Sequence, residues 1–145
     1  FQTWKWLTGP ANFTFLVNRP ASSSHPPALV ISLSDHIAPS RITAVLGEAV
    51  SIWELTIERP HNDFLKSKEQ LSQFRETVRQ LIVDIGRAHG KHTPLAIFPA
   101  IPVACAVDLG RVRMPKADGP WIIYDQNNEC KKFIHALEIG EPDHE

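Results

Sequence analysis

The hydrophobic pattern along this chain divides into two kinds of apolar segment. Continuous runs occur at 28–34 (A-L-V-I-S-L-S), 95–98 (L-A-I-F) and 121–125 (W-I-I-Y-D). Runs of this length without polar alternation are expected of strands covered on both faces, as in a parallel sheet. Segment 50–58 differs. Trp53, Leu55 and Ile57 share one face while Glu54, Thr56 and Glu58 share the other, so one side is wetter or the strand lies near an edge. Between 67 and 89, Leu71, Phe74, Val78, Leu81, Ile82 and Ile85 recur with a 3.6-residue period and predict a long amphipathic helix. Ser67 with Gln70 forms a capping-box pattern at its start, and Gly90 suits its end. Arg75, Glu76, Arg79 and Arg87 read as its solvated face. Shorter helices are expected around 40–46 and over 103–109. Pro102 fits a first helical position, where its missing N–H has no helical partner to lose. Segment 133–139 alternates again and predicts a last strand, paired with 121–125 as a hairpin across 126–131.

The resulting order, β–α–β–α–β–α–β–β, predicts an α/β fold: a Rossmann-like, mostly parallel sheet with helices on both faces and a C-terminal hairpin. Ahead of it, Trp4, Trp6 and Leu7, then Phe13, Phe15 and Val17, show strand spacing around a Gly9-Pro10 turn. These rings read as an exposed aromatic edge. The composition of 19–27 is that of a loop or linker. The chain therefore divides into an N-terminal aromatic strand or hairpin with linker (1–27), the α/β body (28–140) and an acidic tail (141–145).

Composition narrows the function classes. The chain has 145 residues, enough for one domain with one core. A formal net charge of -1 gives no electrostatic case for tight duplex DNA or membrane-surface binding. Cys105 and Cys130 lack metal or redox spacing and fit a reducing cytoplasm, and no apolar run reaches membrane-spanning length. No metal or organic cofactor is expected. The opening F-Q-T-W is not an initiation sequence, so a piece of a longer protein is expected.

Polar groups gather where three strands stop, at 32–36, 98–102 and 125–127. In open α/β sheets, ligands bind beyond the carboxyl ends of the strands. Ser34 or Asp35 reads either as a cap of the next helix or as part of such a site, and His36 is a ligand candidate. The helix after Pro102 would present free N–H groups to an anion. Ala100, Ala104 and Ala106 would admit a flat group close to the backbone. Trp53, Phe98, Trp121 and Tyr124 are rings on which a base could stack. Lys116 or Arg113 would supply a cation, although Lys116 near Asp118 equally fits a surface pair.

These pieces also carry a resemblance. The run F-P-A-I-P-V-A-C-A-V-D-L-G-R at 98–111, followed by M-P-K-A-D at 114–118 and W-I-I-Y-D-Q at 121–126, resembles the SAVED domain. The likeness extends upstream to A-L-V-I-S-L-S-D-H-I at 28–37 and S-I-W-E-L at 51–55, and so covers roughly 28 to 137. The resemblance implies one CARF-like half of a two-half sensor from bacterial anti-phage (CBASS) effectors. Its expected ligand is a cyclic di-, tri- or tetranucleotide. Its expected partner is a fused effector, such as a DNA nuclease, activated through ligand-driven homo-oligomerisation. The family pattern P-A-x-P and P-K-A-D falls here on Pro99, Ala100, Pro102, Lys116 and Asp118. With Ser34, His36, Phe98 and Tyr124 these are the expected ligand-binding residues, and no catalytic residue is expected. Two other readings are a nucleotide-degrading enzyme, for which Ser34, Asp35 and His36 are the compact polar set, and an assembly module without a small-molecule ligand, built on the aromatic edge.

Overall fold

The computed structural model describes residues 15–60, 68–101, 103–114, 118–127 and 132–140. Six strands form one sheet in the order β1-β3-β2-β4-β5-β6. They are β1 (Leu16–Asn18), β2 (Pro27–Ser32), β3 (Ser51–Thr56), β4 (Leu95–Ala100), β5 (Trp121–Asn127) and β6 (Lys132–Ile139). The three helices are α1 (Pro39–Leu46), α2 (Lys68–His89) and α3 (Val103–Val112). The four central strands are parallel, and β1 and β6 close the two edges antiparallel. This is the expected α/β sheet with its C-terminal hairpin.

The chain leaves β2 for β3 in one direction and crosses back over β2 to β4 in the other. Crossovers in a parallel sheet are right-handed, so this reversal puts their helices on opposite faces. Alternation along the strands shows the result. Leu29, Ile31, Trp53, Leu55, Leu95, Ile97 and Trp121 pack with Phe74, Val78, Leu81, Ile82 and Ile85 of α2 and with Cys105 and Leu109 of α3. Ala28, Val30, Ala96, Phe98 and Phe133 pack with Ile37 and Ile42 under α1. Every residue of β2 is buried because it lies centrally between these two layers. Trp53 and Trp121 belong to the core, 4% and 2% exposed, and neither offers a free ring face.

Two expectations about the chain's surface need correction. Arg79 is partly withdrawn from the expected solvated face, and Arg75, exposed as expected, also carries a partner. Arg75 pairs with the buried Asp108 of α3 at 2.8 Å, and Arg79 forms a two-pronged pair with Asp118. They clamp α2 to α3 and to the entry of β5. Phe15 is not an exposed edge ring, since it packs against Phe74 with ring centroids 6.3 Å apart. The rest of that aromatic stretch, through residue 14, lies outside the described residues. The segment after β1 is a loop, as its composition suggests, and it is tied to the body. Arg19 pairs with Asp84 at 2.8 Å and lies over the Trp53 ring, and the Ser22 carbonyl accepts from Ser51 Oγ at 2.7 Å.

Gly90 ends α2 as expected. Its φ of 104° is a left-handed conformation that side chains disfavour, and its N–H donates to the Gly86 carbonyl. Beside it, Trp53 Nε1 donates to His89 Nε2 at 3.0 Å, so that nitrogen carries no proton. Burial lowers the His89 pKa, a hydrogen bond with the His25 backbone raises it, and the balance lies below the ordinary 6.5. A depressed histidine pKa contributes stability fully above the unfolded value, and that stability fades as pH falls through 6.5 towards the folded value. The melting temperature of His89→Gln should therefore depend less on pH between 7.5 and 5.5 than that of the parent. Equal slopes would show that this imidazole is not linked to folding.

Candidate ligand site at the carboxyl ends of the sheet

The reversal between β2 and β4 makes the gap at their carboxyl ends the switch point of the sheet. In open α/β sheets that gap is where ligands sit. Parallel pairing runs to Ser32↔Ala100. Beyond it, the Ala100 carbonyl accepts from both Leu33 N, at 3.1 Å, and Ser34 N, at 2.8 Å. These two bonds bring the loop after β2 against the end of β4. The strand runs past the apolar run at 95–98, and both Pro99 and Ala100 remain in it. A proline fits there because pairing with β5 stops at Ile97↔Ile123, so no β5 carbonyl is left waiting for its missing N–H. Side chains alternate, so Ala100 faces the α1 side, next to Phe98, and Pro99 faces the other.

The residues expected at the site fall into four groups. Ser34, half-buried, and Ala100 are brought together by the bond just described, and His36 is exposed two residues along the same loop. Neither Ser34 nor Asp35 caps α1. The N-cap is Ala38, which makes no side-chain cap bond, and Asp35 Oδ1 accepts from the N–H of His36. Tyr124 reaches the same side from β5, because its ring stacks on Phe98 at 4.6 Å with planes 6° apart. Phe98 itself is fully buried, so its ring is the bed under Tyr124 and meets no ligand directly. Pro102 and Lys116 lie outside the described residues.

Asp118 lies at the opposite end of the sheet, just before β5 begins. Its carboxylate accepts two bonds from Arg79, at 2.6 and 2.8 Å, and one from the N–H of Met114 at 2.7 Å. Burial pushes its pKa up. The hydrogen bonds from Arg79 and Met114, with the charges of Arg79 and Arg113, outweigh that and leave it below its ordinary value. This carboxylate is occupied in holding α2, α3 and the entry of β5 together. The adjoining Gly119 is needed for close approach: a Cβ there would meet the His92 and Thr93 backbone at 2.8 to 3.0 Å. A cavity of about 240 Å³ lies at this end, lined among others by Arg79, Gly86, Leu95, Asp118 and Trp121.

Cys105 is fully buried. Burial, aided by Asp108, pushes its thiol up to about 12, so it stays a packing group. The described residues contain no group of three or more His, Cys, Asp or Glu able to hold a metal ion, and no helix among them is long and apolar enough to cross a membrane.

Two further polar features at this end escaped the sequence pattern. Glu54 accepts from Asn18 Nδ2 at 2.8 Å and from Ser32 Oγ at 3.1 Å, forming a network on the α1 face beside Ala100. The alternation in 50–58 placed Glu54 on the wetter face, but its partners lie 36 and 22 residues away. Arg41, in the first turn of α1, lies with its guanidinium 4.5 Å from the centroid of Phe133. No spacing signal marks it.

No curated protein sequence matches the chain. Among solved structures, the chain is similar to the Cap4 SAVED/CARF-domain containing receptor of Acinetobacter baumannii, whose structure was determined with the cyclic trinucleotide 2'3'3'-cAAA. The TM-score is 0.68 at 14% identity, over 94% of this chain and 29% of that one. The fold is thus shared, and the chain spans less than a third of the receptor's length. The model of the SMODS-associated and fused to various effectors sensor domain matches residues 1–139. The chain belongs to this family, the SAVED sensor domains.

Proposed function

We propose that this chain is one CARF-like half of a SAVED sensor and that it binds a cyclic oligonucleotide at the carboxyl ends of β2 and β4. The observation that carries the reading is the switch point itself. Ser34 N–H and the Ala100 carbonyl join the two strand ends there, with a small side chain at Ala100 and a half-exposed Tyr124 ring on the same side. A base needs a flat apolar platform and a few polar edges. Tyr124 on Phe98 supplies the first, and Ser34, His36 and the Glu54 network supply the second. The similar receptor's bound cyclic trinucleotide fits this ligand class.

The cavity at the amino end does not serve this role in the proposal, because the Arg79 and Asp118 side chains that line it are paired with each other. The carboxyl-end site is open, so a second surface is needed to enclose a ring-shaped ligand. The fused partner half is that surface in this reading, and ligand binding then drives assembly and switches on an attached effector such as a nuclease.

The test is a thermal-shift panel of cyclic di-, tri- and tetranucleotides on the intact protein, with the linear products as controls and light scattering beside it. Stabilisation by one cyclic ligand, its recovery unchanged and growth in particle size are the expected results. Turnover of the ligand would make the protein a degrading enzyme instead. No stabilisation by any of them would leave an assembly module.

A further inference from the structure

Building on that reading, we propose that Arg41 is the cation that holds a phosphate of the cyclic oligonucleotide at this site. Helix α1 opens at Pro39, directly after the loop that leaves β2 beside Ala100, so Arg41 stands in the turn nearest the carboxyl ends. Its guanidinium covers Phe133, Phe133 meets Phe98 edge-on at 5.1 Å, and Phe98 carries the Tyr124 ring. Cation and base platform therefore share one face and one end of the sheet.

Among the described residues, Arg41 Nη2 meets no acceptor. That atom is buried, and no ion pair among the described residues includes the guanidinium. The arginines that clamp the helices, Arg75 and Arg79, each have a carboxylate. The acid on β6, Glu138, is hydrogen-bonded to His135 at 3.0 Å. A buried donor without an acceptor is unfavourable. Guanidinium offers its N–H groups in a rigid fork that matches phosphate oxygens. Contact with the Phe133 ring already restrains the guanidinium, so less further ordering is required when an anion arrives.

The experiment uses the intact protein, with 2'3'3'-cAAA and a panel of other cyclic oligonucleotides as probes, each titrated at low and high salt. Arg41→Met keeps the stem over Phe133 and removes the charge. Arg41→Lys keeps the charge and removes the fork. Tenfold or greater weakening is expected in Arg41→Met, with the loss shrinking as salt rises, and an intermediate affinity in Arg41→Lys. Melting without ligand confirms that both variants fold. Should Arg41→Met fail to fold, the Arg41→Lys titration decides alone. A parent that binds, with variants binding as tightly at both salts, overturns the role of Arg41 and leaves the sensor reading standing. A parent that binds no member of the panel overturns both.

Discussion

Replacing Ala100 by leucine should weaken cyclic-oligonucleotide binding by at least about a hundredfold, about 2.7 kcal/mol, while leaving the fold in place. The backbone at this position carries the architecture of the site. Its carbonyl accepts from Leu33 and Ser34, and its pairing with Ser32 is the last rung between β2 and β4. Those bonds survive a change of side chain. The added carbons would project on the α1 face beside Phe98 and Tyr124, into the space that the proposal gives to a base. Ala100 is only half-buried, so the cost in stability should sit near or below the lower end of the 1–3 kcal/mol typical of overpacked cores. Titration of the intact protein, with the melting temperature of each variant measured alongside, gives both quantities. An unchanged affinity in a folded Ala100→Leu protein would place the ligand elsewhere.

Asp118→Ala should do the reverse, costing stability and sparing binding. The side chain of Asp118 is 7% exposed and that of Arg79 24%. Removing the carboxylate takes the acceptor from Arg79 Nη2 and from the Met114 N–H and leaves Arg79 Nη1 with the Val112 carbonyl alone. Breaking a buried pair from one side costs 3–5 kcal/mol, and the partial exposure of Arg79 puts the expected loss near the lower end, about 3 kcal/mol. The folded pKa of Asp118 is depressed, so this contribution is present above the ordinary carboxylate value of 3.8 and is lost as pH falls through the folded value. Chemical denaturation of parent and variant at pH 7 and pH 3 measures both effects, with the gap between them narrower in acid. A variant as stable as the parent but unable to bind ligand would return Asp118 to the binding site.

These two residues also show where local pattern stops being informative. Ala100 and Asp118 lie in neighbouring segments of the same family-like stretch, and nothing in spacing separates them. The fold puts them at opposite ends of the sheet, because one closes β4 and the other precedes β5, and parallel strands run the same way. Phe98 and Tyr124 look alike as candidate rings, but only Tyr124 keeps an accessible surface, since Phe98 is packed between Tyr124 and Phe133.

Sequence by itself determined the element order, the parallel core and the face that β3 buries. Those properties follow from the hydrophobic period, which reports local geometry: continuous runs for β2 and β4, alternation for β3, a 3.6-residue stripe for α2. It also marked three strand ends, through polar residues placed where apolar runs stop, without saying which of them meet. Only the tertiary structure decided strand order, and with it the switch point between β2 and β4. It alone gave Arg75 and Arg79 their carboxylates, 33 and 39 residues away, and left Arg41 over Phe133 without one among the described residues. A charge on a helix face looks the same in sequence whether it meets solvent, a carboxylate or an aromatic ring. The difference lies in what distant segment the fold brings against it.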